Sequence, residues 1–226
     1  MFTQLIGSHC LLCHAQIADA SHYLCPPCLH DLPYLTHSCP QCGTALTKQT
    51  DTSCGKCQTN TSPIQQTFSL FHYKPPVNHL IKQLKFHHTL LIANLFGKLL
   101  AEAIKQQDTP LPDCIIPVPL HTRRLRERGY NQALQIAKPL AKELGIPLQT
   151  SLLVRSKYTR PQTDCSFKER KTNLRNSFSC TLEATSYQSI AIVDDVITTG
   201  TTINEAAKVL RRHGVKQVFA WSCAHS

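Results

Sequence analysis

A chain of 226 residues with a hydrophobic fraction of 42% has room for one domain of ordinary size, with a packed core, plus a small module. It contains no run of about eighteen apolar residues, which argues against a membrane span. The opening Met-Phe-Thr-Gln-Leu-Ile-Gly is too short and too uncharged for a signal peptide, so a cytoplasmic protein is expected. The formal net charge of +10 is unevenly placed. Residues 1–60 hold two of the 24 Lys/Arg and three of the 14 Asp/Glu, which leaves 22 and 11 for residues 61–226. That larger part, formally +11 by difference, suits a polyphosphate ligand, a nucleic acid, or both, although a merely soluble basic surface would look the same.

Taken in chain order, the first signal is cysteine. Cys10/Cys13, Cys25/Cys28, Cys39/Cys42 and Cys54/Cys57 form four successive C-x-x-C pairs. In a cytosolic chain such pairs argue for metal rather than disulfides. Two knuckles present four thiolates to one tetrahedral Zn²⁺, so eight ligands make two closed, structural sites. Sequential pairing gives Cys10/13/25/28 and Cys39/42/54/57. A cross-braced arrangement would give Cys10/13/39/42 and Cys25/28/54/57. The closely matching spacings of the two halves favour the sequential one, as in a duplicated zinc ribbon. His9, His14, His22, His30 and His37 are expected to be surface or packing residues.

Residues 1–60 thus read as a double zinc-ribbon-like module, and residues 61–226, after a linker at Thr61-Ser-Pro63, as a second domain. Thr67 to Tyr73 alternates as a strand does, and Pro75-Pro76 ends it. From Val77 to Gln107 apolar residues recur at helical spacing, with a break near His87-His88. Lys82 and Lys85 flank Leu84 there, either solvating a face or meeting a ligand. Asp113 to Leu120 reads as a strand stopped by proline. Arg123, Arg124, Arg126 and Arg128 follow, expected in one short loop, where they would repel one another unless anions visit. Asn131 to Leu144 reads as an amphipathic helix closed by Gly145, and Leu152 to Arg155 as a further strand. Tyr158 to Asn176 is polar and basic, with Arg160, Gln162, Lys168 and Arg170, and has the length of a lid.

The most informative stretch is Ile190-Ala-Ile-Val-Asp-Asp-Val-Ile-Thr-Thr-Gly-Thr-Thr202. Ile190 to Val193 suits a buried parallel strand, with Asp194 and Asp195 at its carboxyl end, where open α/β sheets bind ligands. A helix is expected from about Ile203 to His213, stopped by Gly214, and a final strand from about Gln217 to Cys223. A helix N-terminus directs N–H groups and a positive dipole end at an anion, and Thr198, Thr199, Gly200, Thr201 and Thr202 surround that place. The paired acids would repel a phosphate, but they can accept hydrogen bonds from sugar hydroxyls, directly or around Mg²⁺. Hydroxyls at one end and phosphate at the other describe a ribose 5-phosphate.

This stretch resembles the phosphoribosyl pyrophosphate (PRPP) signature of type I phosphoribosyltransferases. Together with the cysteine knuckles, Leu84-Lys-Phe86, Pro117-Val-Pro-Leu-His121, the run Arg123 to Gln132 and Arg160-Pro-Gln162, it occurs in the order seen in the ComF family. The resemblance implies an α/β fold of the type I phosphoribosyltransferase kind, a central mainly parallel sheet flanked by helices, with a small amino-terminal Cys-rich zinc-binding module. It also implies a PRPP- and Mg²⁺-binding, phosphoribosyltransferase-like protein acting in natural transformation, in the internalisation of single-stranded DNA. Asp194 and Asp195 would then be catalytic, and Pro119, Leu120, His121, Arg123 and Arg124 would meet pyrophosphate. Arg126, Arg128, Arg160, Gln162, Lys168, Arg170, Lys82 and Lys85 would serve a lid or a nucleic acid. The alternative is a non-catalytic single-stranded DNA-binding module, with Tyr130 and Tyr158 for base stacking, using the fold as sensor or scaffold beside other DNA-uptake proteins.

Overall fold

The computed structural model describes residues 8–17, 23–48, 52–87, 89–155, 177–181 and 186–226. Four strands form its main sheet: β3 (Gln66–His72), β4 (Cys114–Pro117), β7 (Ser189–Ile197) and β8 (Gln217–His225). Their spatial order is β3-β8-β7-β4, and every pairing is parallel. Beyond β4, Leu148 bridges Ile115 in the same sense. The short pairs β1 (Ser8–His9) with β2 (Gln16–Ile17), and β5 (Leu153–Arg155) with β6 (Phe178–Cys180), are antiparallel.

Alternating residues of the strands enter two different cores, because successive side chains point to opposite faces. Ala191, Val193, Phe219 and Trp221 pack with α3 (Val77–Phe86), α4 (Leu90–Lys105) and α6 (Gln132–Leu144) through Leu80, Leu84, Leu95, Ile136 and Leu140. Ile190, Ile192, Val218 and Ala220 pack with Ile203, Ala206 and Leu210 of α7 (Thr201–Arg212), together with Leu153 and Phe178. Burial on both faces is why residues 190–193 are apolar without alternation. At Gly97 the helices α4 and α6 come so close that a Cβ would stand 2.4 Å from Pro139 Cγ and 2.6 Å from the Ile136 carbonyl.

Residues 33–40 run along the open edge of β3. Leu35 N–H donates to Leu70 O at 2.9 Å, His72 N–H to Pro33 O at 2.8 Å and Thr67 N–H to Pro40 O at 2.7 Å. The amino-terminal segment therefore covers a strand edge that would otherwise present unpaired backbone. Leu24 and Leu32 join the core of α3 and α4.

Several boundaries differ from the sequence reading. The strand expected to stop at the acids runs on through them to Ile197, and α7 starts at Thr201, two residues early. The final strand extends to His225. The four arginines lie on a helix, α5 (Thr122–Arg128), rather than in a loop. His121 Nδ1 caps it by accepting the Arg123 N–H at 3.2 Å, Arg123 pairs with Glu127 one turn on at 3.0 Å, and Gly129 closes it at φ 78°. The segment 156–176, which joins β5 to β6, lies outside the described residues, and with it Arg160, Gln162, Lys168, Arg170, Tyr158 and the expected lid.

Candidate functional site

Parallel pairing puts the carboxyl ends of β4 and β7 side by side. Pro117 pairs with Val193, and Val118 N–H donates to Val193 O at 2.8 Å. Pro119, Leu120 and His121 therefore leave the sheet next to Asp194 and Asp195. Each acid folds one oxygen back onto the chain: Asp195 N–H donates to Asp194 Oδ1 and Val196 N–H to Asp195 Oδ1, both at 2.9 Å. Lys85, in the last turn of α3, reaches across so that its Nζ lies 2.5 Å from Asp195 Oδ2. Burial pulls the Lys85 ammonium down, but attraction to Asp195 and Asp194 outweighs it and holds the group charged. Lys82, one turn earlier, is exposed to solvent.

Two acids share this one close ammonium, and the imbalance falls on Asp194. Burial first, and then the Asp195 charge, push its carboxyl from 3.8 up to about 8. The consequence for stability has a definite sign. Between about pH 4 and about 8 the folded chain holds a proton on Asp194 that the unfolded chain has released, so this group's contribution to stability falls as pH rises through that window. In the ligand-free protein Asp194→Asn is expected to flatten that part of the slope in chemical unfolding series. An unchanged slope would show that Asp194 ionises normally.

Beyond Ile197 the chain turns through Thr198 and Thr199 to Gly200, the N-cap of α7. Gly200 takes φ 70°, which strains other residues, and it brings no side chain to cap the first-turn N–H groups. Its carbonyl accepts from Asn204 Nδ2 at 2.9 Å, and Thr199 Oγ1 and Thr201 Oγ1 are 2.8 Å apart. The loop thus gathers hydroxyls at a helix start, next in sequence to the acid pair. A hollow of about 580 Å³ between α4 and α6, lined by Tyr23, Leu91, Asn94, Gln135 and Lys138, contains none of the predicted site residues.

The arginines divide. Arg128 is half-buried with its guanidinium 5.6 Å from the centre of the Phe86 ring, and NH1 donates to Gln132 Oε1 at 2.8 Å. Arg123 and Arg126 are exposed. One cation escaped the sequence reading: Arg155, buried at the end of β5, lies 5.5 Å from the Phe178 ring centre. Burial and the neighbouring Arg124 pull its pKa down to about 10, against the attraction of Asp194, so Arg155 shares the electrostatic surroundings of the acid pair. Its only sequence signal was an arginine ending an apolar run. Tyr130, expected as a stacking ring, has its hydroxyl donated to the Leu84 carbonyl and its ring against the core.

The eight paired cysteines gather as two groups, Cys10/13/25/28 and Cys39/42/54/57, with the ligand atoms of each within 4.8 Å of one another. This is the sequential pairing. The two groups are also built alike. In each, the first cysteine's carbonyl accepts the N–H four residues on, from His14 at 3.0 Å and from Gly43 at 2.8 Å. Those residues take φ 61° and 75°. Each third cysteine, Cys25 or Cys54, is the N-cap of a short helix, α1 (Pro26–His30) or α2 (Gly55–Gln58). Burial opposes ionisation of Cys10 and Cys39, yet backbone N–H groups aimed at their sulfurs bring them down to about 6 and about 7. Cys25, Cys28, Cys42 and Cys57 are instead pushed up in the metal-free protein, so four convergent sulfurs, one of them in each group already inclined to ionise, fit a Zn²⁺ whose charge would draw the protons from the rest.

A double zinc ribbon domain matches residues 2–66, and a phosphoribosyl transferase domain matches residues 131–224. Over 226 residues the chain is 34% identical to Competence protein F of Haemophilus influenzae, covering 96% of both proteins. The chain belongs to the ComF family. It is also 34% identical over 216 residues to DNA utilization protein YhgH of Escherichia coli (strain K12), covering 94% of each, and 24% identical over 227 residues to Competence protein ComFC of Bacillus subtilis, covering 91% of this chain and 89% of that one. The ComF fold thus joins a type I phosphoribosyltransferase-like sheet to an amino-terminal double ribbon, as the sequence predicted. None of its described helices is long and apolar enough to cross a membrane.

Proposed function

We propose that this ComF protein binds PRPP with Mg²⁺ and transfers its phosphoribosyl group. The observation that carries the reading is the direct succession of an acid pair (Asp195 buried, Asp194 half-buried), a left-handed glycine and an uncapped helix start at the carboxyl end of one strand. Asp194 and Asp195 would accept hydrogen bonds from the ribose hydroxyls. Thr198 to Thr202 would hold the 5′-monoester through hydroxyls and first-turn N–H groups. Pro119, Leu120 and His121, with Arg123, Arg124 and the buried Arg155, would meet the pyrophosphate. A carboxylate left short of positive charge also suits Mg²⁺, which takes oxygen ligands and supplies charge neutralisation to a leaving pyrophosphate.

The residues' own part in transfer is electrostatic. As the bond from C1 to the pyrophosphate oxygen breaks, its electron pair leaves with pyrophosphate and C1 gains oxocarbenium character. The acids stabilise that positive charge, the arginines stabilise the departing negative charge, and the acceptor's lone pair closes the new bond to C1. Positioning, rather than proton transfer to a side chain, supplies the acceleration. Calorimetry of the full chain with PRPP and Mg²⁺ is expected to show one site per chain, weakened when Mg²⁺ is withheld. No heat under either condition would refute the reading.

A second reading accompanies the first: the same face binds single-stranded DNA. The +11 formal charge of residues 61–226 and the cationic helix α5 favour it. The relatives named for competence and DNA utilisation are consistent with it.

A further inference from the structure

We infer that the Phe86 ring, held by Arg128, is a stacking platform for one unpaired base of a nucleic-acid strand at the rim of the acid-pair site. The inference rests on the DNA reading above. Phe86 ends α3 and is 64% exposed, more than any other large hydrophobic residue among those described. An exposed phenylalanine alone is ordinary. This one is not alone: Arg128 lies over the ring at 5.6 Å, and the guanidinium is fixed by Gln132 at 2.8 Å. Burial lowers the Arg128 pKa while Asp195 opposes the fall, which places the pair within electrostatic reach of the site. The preceding residue, Lys85, is the one that touches Asp195.

The surroundings select the occupant. Leu125, 41% exposed, lies one helical turn before Arg128 on α5, and Arg124 lies beside it in sequence. Lys82, exposed, is one turn before Phe86 on α3. An apolar protein helix laid on Phe86 and Leu125 would strip water from these cations without compensating them. A single strand satisfies both parts: a base lies flat against the ring while its flanking phosphates meet Lys82 and Arg124. Tyr130, hydrogen-bonded to the Leu84 carbonyl and packed on the core, supports α3 from behind and leaves Phe86 as the ring that faces out.

Fluorescence anisotropy of the full-length protein with a short oligodeoxythymidine, and with an abasic strand of equal length, separates stacking from charge. Phe86→Ala is expected to weaken binding of the thymidine strand about tenfold and to leave the abasic strand unaffected, with an unchanged salt slope. Phe86→Trp is expected to restore wild-type affinity, which also controls for folding. Equal binding of the thymidine strand by Phe86→Ala and wild type would overturn the inference, as would equal losses on both strands. If the wild-type protein binds neither strand at any salt, the DNA reading falls and this inference with it.

Discussion

Asp194→Asn combined with Asp195→Asn is expected to abolish PRPP binding in calorimetry, yet the two single variants should move the stability of the free protein in opposite directions. Asp194 carries a burial penalty that pushes its carboxyl up to about 8, so at neutral pH it already holds a proton. An amide of the same shape removes that penalty, and the free chain should be as stable or more so, in the manner of sites where function is held against stability. Asp195 is the partner of Lys85, with side-chain exposures of 10% and 24%. Removing it leaves a largely buried ammonium without its counter-charge, a loss of roughly 1–3 kcal/mol once partial exposure is discounted from the range for fully buried pairs. Each single variant should still weaken PRPP by tenfold or more, because an amide replaces one of the two carboxyl groups offered to the ribose hydroxyls and cannot give up a proton to become a charged acceptor when Mg²⁺ arrives. Thermal unfolding read beside calorimetry distinguishes these effects. A double variant that binds PRPP with wild-type affinity would remove the acids from the site altogether.

The acid pair and its loop belong to a part of the molecule that is legible in the amino-acid sequence. Residues 190–202 declared strand, acids, loop and helix in one line, because each depends on local chemistry: apolar residues buried on both faces, carboxylates at a strand end, a glycine where φ is positive. The cysteine pairing was legible for a similar reason, since matched spacing reflects a repeated turn. The arginine helix was not. Among Thr122–Arg128 only Leu125 is apolar, so no amphipathic period exists to read, and the helix depends on the His121 cap and Gly129 at its ends. Arg155 was missed because its meaning is non-local: the strand that carries it packs beside α7, and only the packed arrangement brings Arg124 and Asp194 into its field. The strap of residues 33–40 along β3 is likewise invisible to local patterns, for it joins segments some thirty residues apart through backbone bonds and the contact of the Tyr34 ring with Phe71.

Zinc loss should show that the two ribbons, built alike, do different work. The intact chain is expected to carry two Zn²⁺ by elemental analysis, with Cys13→Ser and Cys57→Ser each losing one, since each closed site needs all four sulfurs. The consequences diverge because the surroundings do. Around the second site, Pro40 and Gln41 accept from the Thr67 N–H and Oγ1–H, both at 2.7 Å, and the Cys42 carbonyl is 3.2 Å from His225 Nε2. His225 pairs with Ile197, the last residue before the loop of residues 198–202, and Ser62, shortly after that ribbon, reaches Asn204 Oδ1 at 3.5 Å. Asn204 in turn holds the Gly200 carbonyl. Losing the second ion therefore loosens both the β3 edge and the backing of the loop expected to hold the 5′-phosphate. The first ribbon instead meets the core on α3 and α4 through Leu24 and Leu32. Cys57→Ser should accordingly reduce PRPP affinity more than Cys13→Ser does, and hydrogen exchange should report lost protection at Thr67 and Asn204 in the former alone. Equal effects of the two variants on affinity would mean that the ribbon's hydrogen bonds to β3 and β8 do not reach the loop, and retention of both ions by either variant would mean that the four-sulfur groups are not the metal sites.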